Sequence, residues 1–221
     1  MGDVSLLTAS FYDWMSYQPR IGWFTYLFFS DFADEFPNAE VIGTDISPIQ
    51  PTWVPPNVKF ELEDCNQEWS FDENTFDFVN MRHLGGSVDD WYALFRNAYR
   101  VAKPGGYVES YCSSSHFLSD DGSVKKGSAL DQWGIVFREG TKKLGRTFSV
   151  YEEDLQRKGM EAAGFVDIKF KDTLVPIGVW HPDKTQAEIG LWWKIAVESD
   201  IEGKFPREQL RLPLLLNPPW R

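Results

Sequence analysis

The sequence predicts an open, mainly parallel α/β sheet flanked by helices, with an antiparallel strand pair towards the C-terminal end. Three observations carry this. Between residues 39 and 111, short apolar runs of strand length alternate with longer stretches. The clearest helical period, 88–102, falls between two strand candidates, the order of a right-handed β-α-β crossover. A chain of 221 residues is also long enough to bury the core of one such domain.

Residues 1–30 are aromatic-rich and carry no clear period. Their apolar run, 21–29, is shorter than the roughly 20 residues that span a bilayer. It also lacks a basic leader and meets Asp31 at once, which argues against a signal peptide. Asp31-Phe32-Ala33-Asp34-Glu35-Phe36 reads as a helix end stopped by Pro37. A strand follows over 39–45 and ends on Asp45. Pro48, Pro51, Pro55 and Pro56 make 49–57 an extended loop. The run 58–64 alternates apolar and polar residues and again ends on an acid, Asp64. A third strand, 76–81, runs into a loop in which Gly85-Gly86 leaves room for close backbone approach.

The helix over 88–102 places Trp91, Leu94, Phe95, Ala98, Val101 and Ala102 on one face. Lys103-Pro104-Gly105-Gly106 stops it, and 107–111 forms a fourth strand. A helix over 129–144 turns Leu130, Trp133, Val136 and Phe137 inward, and another over 152–163 ends at Gly164. Strands over 166–171 and 174–179 form the antiparallel pair, and a last helix covers 186–197. The expected organisation is an atypical N-terminal segment, 1–30, a main domain, 31–203, and an irregular tail, 204–221.

The chemistry starts at Asp45. A carboxylate at the end of a parallel strand sits where such sheets bind ligands, and can accept both hydroxyls of a ribose. The competing reading is a turn cap ahead of Ser47-Pro48. A net charge of -11 disfavours direct binding of nucleic acid. Cys65 and Cys112 give neither a disulfide framework nor a zinc quartet, so a reducing compartment, cytoplasmic or nuclear, is expected. His83, His116 and His181 have no metal spacing; His83, after the third strand, is the candidate base for a substrate hydroxyl. Ser113-Ser114-Ser115 lacks the glycine pattern of a nucleophile elbow, and neither Gly-Gly pair is a phosphate loop.

Taken in order, Asp45-Ile46-Ser47-Pro48, Asp64-Cys65, Glu68-Trp69, Phe76-Asp77-Phe78, Gly86-Ser87, Trp91 and Arg100-Val101 with Lys103-Pro104-Gly105-Gly106 resemble the class I S-adenosylmethionine-dependent methyltransferases. More narrowly, they resemble the fungal LaeA-like group of secondary-metabolism methyltransferases. The resemblance covers about three quarters of the chain and implies a Rossmann-like fold with S-adenosyl-L-methionine as cofactor. It implies that Asp45 binds the ribose hydroxyls, that Ile46 packs on the adenine, and that Asp64 and Cys65 lie at the adenine edge. Met81, Arg82 and His83 would border the methionine end and the acceptor. Counted back from Asp31 without gaps, the glycine-rich first loop would be Arg20-Ile21-Gly22-Trp23-Phe24-Thr25-Tyr26. Gly22 and Thr25 match there; Arg20, Phe24 and Tyr26 depart. The implied function is methyl transfer to a small molecule of secondary metabolism, with a regulatory protein as the other partner. The alternative is a cofactor-free, methyltransferase-like regulatory protein, and a nicotinamide dehydrogenase stands third.

Overall fold

The protein is described by a computed structural model covering residues 5–10, 31–48 and 54–199. Its centre is a five-stranded sheet, β1 (Ser5–Ser10), β2 (Glu40–Asp45), β3 (Val58–Leu62), β4 (Phe76–Arg82) and β5 (Ala102–Tyr111). The strand order is β3-β2-β1-β4-β5 and every pairing is parallel. The helices are α1 (Trp91–Val101), α2 (Ala129–Lys142), α3 (Leu155–Ala163) and α4 (Lys184–Ser199), and residues 31–35 are also helical. The chain divides into two compact units. Of the described residues, those up to Ile168 form the first and those from Lys169 the second.

α1 forms where its sequence period says it should. Trp91, Leu94, Phe95, Ala98 and Val101 are buried, a stripe at spacings of three and four. Asp90 caps the start, its carboxylate accepting from the amides of Tyr92 and Ala93. At the other end, the amides of Asn74 and Thr75 donate to the carbonyls of Arg100 and Val101, so the turn before β4 takes over helix-terminal acceptors. The Arg100 guanidinium donates to the Phe71 and Trp69 carbonyls at 2.7 and 2.6 Å. The main core lies on this side, joining α1 to Trp69, Phe76, Val79, Met81, Leu84 and Val88. α3 closes on α1 at Gly159, where a Cβ would overlap the Phe95 ring. A smaller core joins Ala33, Ala39, Val41 and Val58, with Phe60 and Phe78 packed against it.

Four expectations are revised. A strand, β1, lies within residues 1–30, between β2 and β4. Its end is Ser10, ten positions before Arg20 in the sequence. α1 passes directly into β5 at Ala102, and 103–106 forms the irregular start of the strand, with Gly105 at φ 82 and a register shift opposite Phe76 and Phe78. The expected strands 166–171 and 174–179 do not form. Asp167 takes left-handed backbone at φ 54, and the apolar residues meet no partner sheet, Val166 being 82% and Leu174 81% exposed. Leu130, expected inside, is 48% exposed; α2 buries Phe137, as expected, together with Gly134, Gly140 and Thr141.

In the second unit, the segment before α4 folds back on the helix. The Gly178 amide donates to the Gly190 carbonyl at 2.8 Å, and a Cβ on Gly190 would overlap the Gly178 carbonyl. Trp180 Nε1 donates to the Ile177 carbonyl. Among the described residues no helix is long and apolar enough to cross a membrane.

Candidate functional site

Parallel pairing brings the carboxyl ends of the strands to one edge. Asp45 stands opposite Leu62, Ser10 opposite Arg82, and Arg82 opposite Tyr111. The chain runs outward through β2 and β3 on one side of β1, then through β4 and β5 on the other. Ligands of open α/β sheets bind at the carboxyl edge around such a reversal.

Asp45 is 6% exposed and its Oδ1 accepts the Ser47 amide at 2.9 Å. The turn-cap role read as the alternative is therefore real, and it also fixes the direction of the carboxylate at the strand end. The neighbouring Ile46 is 41% exposed. A carboxylate and an open apolar side chain thus stand side by side, a donor set that fits the ribose hydroxyls and the base of a nucleoside. The Glu63 amide donates to the Asp45 carbonyl, carrying the β2 end across to the loop after β3.

That loop is organised by Asp64 and Asn66. Asp64 Oδ1 accepts the Asn66 amide at 2.9 Å. Asn66 Nδ2 donates to the Ser87 carbonyl, and Asn66 Oδ1 accepts the Asp89 amide. One side chain therefore ties the loop after β3 to the loop after β4. Arg146 Nε in turn donates to Asp89 at 2.6 Å, and the Gly86 amide donates to the Thr147 carbonyl. Gly86, at φ 77, has the Phe148 ring where a Cβ would stand, so only glycine lets that segment close on the loop. Cys65 is half-buried against the main core. Burial first, and then the Asp64 charge, push its thiol up to about 12, so it is a neutral packing group at physiological pH.

The three residues expected to border the acceptor separate. Met81 is fully buried in the main core, so it presents no side chain to the edge. Arg82 Nε donates to Asn80 Oδ1, Asn80 Nδ2 donates to Glu109, and the guanidinium lies 5.9 Å from the Tyr111 ring centre. His83 has left-handed backbone at φ 54, its amide donates to the Tyr111 carbonyl, and its ring meets Tyr111 edge-on at 5.1 Å. Burial, and then the Arg82 charge, push its pKa down to about 4. The imidazole is therefore neutral near pH 7 and a weak base. Gly22, with Arg20, Phe24 and Tyr26, lies outside the described residues.

Sequence reasoning placed Asp45, Ile46, Asp64 and Arg82 at one edge, and missed Asn66. Its role depends on partners 21 and 23 positions away, and an Asn two residues past an acid reads as ordinary turn chemistry. Among the described residues no group of His, Cys, Asp and Glu could hold a metal ion.

The profile of a family described as "Methyltransferase domain" matches residues 11–169. The secondary metabolism regulator LAE1 of Cochliobolus heterostrophus is 33% identical over 191 residues, covering 84% of this chain and 62% of that protein. Methyltransferase pytC of Aspergillus terreus is 31% identical, over 77% of this chain and 52% of that one. The secondary metabolism regulator laeA of Aspergillus fumigatus is 30% identical, over 78% and 46%. The chain therefore spans between 46% and 62% of the length of these curated relatives. A solved structure of Haemonchus contortus phosphoethanolamine N-methyltransferase 2 with S-adenosyl-L-methionine is 22% identical, covers 95% of this chain and 43% of that one, and superposes with a TM-score of 0.44.

Proposed function

We propose, on the premise that this chain belongs to the methyltransferase-domain family, that it transfers the methyl group of S-adenosylmethionine to a small molecule of secondary metabolism. The observation that carries the reading is the buried Asp45 carboxylate, fixed by the Ser47 amide and flanked by the exposed Ile46 at the sheet's carboxyl edge. Asp45 accepts the ribose hydroxyls, Ile46 covers one face of the adenine, and the Asp64 loop borders its edge. When bound, the sulfonium supplies an electrophilic methyl carbon. The chain's own task is to hold donor and acceptor in line, and positioning of this kind supplies roughly 7–11 kcal/mol of a barrier. That task needs rigid loops rather than many reactive side chains, and the Asn66 bridge between the β3 and β4 loops meets it.

Arg82 and His83 line the side of the edge nearer β5. His83, neutral and weakly basic, serves there as a hydrogen-bond acceptor that orients the acceptor molecule. A regulatory protein is the second partner, in line with the regulator names carried by LAE1 and laeA. Both cysteines are free thiols, which suits a reducing compartment, cytoplasmic or nuclear.

The test is calorimetric titration of S-adenosylhomocysteine into the purified protein and into Asp45→Asn, which keeps the side chain's size. Hydrogen bonds to a charged group are worth about 1.5–3 kcal/mol. The substitution should therefore weaken binding by roughly 10- to 150-fold. Equal affinity in both proteins would remove Asp45 from the site, and no heat from folded wild-type protein at millimolar ligand would end the reading.

A further inference from the structure

The loop after β5 carries a polar cluster that methyl-donor binding does not use. His116 Nδ1 lies 2.7 Å from Glu152 Oε1, and the Ser114 hydroxyl donates to the same oxygen at 2.6 Å. The His116 amide donates to Ser114 Oγ at 3.1 Å, which folds the loop into a tight turn. This is not the relay of a serine hydrolase. There the hydroxyl donates to a basic imidazole nitrogen; here Ser114 Oγ also lies 3.3 Å from His116 Nδ1, but hydroxyl and imidazole both converge at shorter range on one carboxylate oxygen. With Nδ1–H donating to Glu152, the neutral ring carries its lone pair on Nε2.

The cluster is firmly mounted. Ser114 follows β5 by three residues, on the same edge as Arg82 and His83, and the His83 amide is bonded to the Tyr111 carbonyl at the end of that strand. α2 supports the loop: Arg138 donates to Ser115 Oγ, and the absent side chain of Gly134 admits the Ser115 carbonyl, which a Cβ would approach to 2.6 Å. Glu152 comes from the segment whose Thr147 carbonyl accepts the Gly86 amide. His116 itself is exposed.

The surroundings are aromatic. Phe117 meets Trp133 at 6.5 Å, Trp133 meets Phe137 at 5.4 Å, and Phe137 meets Phe148 at 5.0 Å, a row that ends against Gly86. Leu118 and Tyr151 are exposed beside His116 and Glu152. An aromatic row that begins at Phe117, the residue after His116, suits a planar ring that carries an ionisable hydroxyl.

We propose that His116, oriented by Glu152 and braced by Ser114, takes the proton from a phenolic or enolic hydroxyl of a planar acceptor lying along Phe117 and Trp133. The O–H bond breaks with its electrons left on oxygen, and the proton moves to Nε2. That oxygen then bonds to the methyl carbon of the sulfonium donor while the C–S bond breaks with its electrons going to sulfur. The proton leaves the imidazolium for water. His116 is the catalytic residue; Glu152 and Ser114 are positioning residues. The assignment rests on the methyl-transfer reading above.

The test uses 4-nitrophenol, whose phenolate absorbs at longer wavelength than the phenol, with the wild-type chain, His116→Gln and Glu152→Gln. Folding is checked by circular dichroism, and S-adenosylhomocysteine binding is titrated on the same samples. The bound probe should show the phenolate band in wild type, lose it in His116→Gln and keep only part of it in Glu152→Gln. Imidazole 15N shifts should place the His116 proton on Nδ1 in wild type and lose that preference in Glu152→Gln. Methylation of the probe should fall roughly 100-fold in His116→Gln, in keeping with general-base contributions. Failure of the probe to bind, or an unchanged phenolate band in His116→Gln, would overturn the assignment and leave His116–Glu152 as a surface ion pair of little energetic weight. Because the donor product is titrated separately, loss of donor binding and loss of this assignment read out independently.

Discussion

His83 joins a local backbone requirement to a pH response. Its φ of 54 lies where asparagine, aspartate and histidine are the side-chain-bearing residues most often found. Its folded pKa, about 4, lies below the ordinary 6.5. Between those values the unfolded chain binds more protons than the folded one, so stability rises with pH through the window and is lost as pH falls from 6.5 towards 4. One group can contribute at most about 1.4 kcal/mol per pH unit. His83→Asn, compatible with the same backbone, should flatten the stability curve between pH 6.5 and 4 relative to wild type, measured by urea unfolding at several pH values. Parallel curves for the two proteins would show that His83 is not held in its neutral form. Single residues were legible in the sequence where chemistry and chain position coincide, as at Asp45, a buried acid at a strand end. They were illegible where a side chain's direction decides, as at Met81: the position is the last but one of β4, but alternation turns the side chain into the core.

α1 and α3 meet where Gly159 faces Phe95. Alanine is the better helix former by about 0.5–1 kcal/mol, but overpacking a filled core costs about 1–3 kcal/mol. Phe95 is wholly buried and has little room to yield, so Gly159→Ala should be destabilised by about 1 kcal/mol in urea unfolding; a stabilised variant would mean that the ring moves freely. Asn66→Ala tests the loop bridge. It leaves the Ser87 carbonyl and the Asp89 amide without their partner, so a loss of about 1–3 kcal/mol is expected together with weaker S-adenosylhomocysteine binding. The elements themselves were unequally readable. α1 shows its full buried stripe in the sequence. β1 does not, because a parallel strand flanked on both sides lacks the alternation that marks a half-buried one. The stretch 166–171 does alternate, yet no sheet edge receives it and Asp167 breaks the extended path.

The chain carries a net charge of -11, and the parallel sheet of the described residues brings Asp45, Ile46, Asp64 and Arg82 to a single edge. The sheet's parallel character was legible from the order of strand, helix and strand. Its centre was not, since β1 is a short run of small and apolar residues next to a louder aromatic stretch. The central claim, that the nucleoside of the donor sits across the ends of β2 and β3, has a direct measurement. Hydrogen exchange of the intact chain should be followed by mass spectrometry with and without S-adenosylhomocysteine. Protection gathered in peptides covering 43–47 and 62–67, and lost in Asp45→Asn, is the expected result. Protection confined to other segments, with both of these unchanged, would contradict the claim.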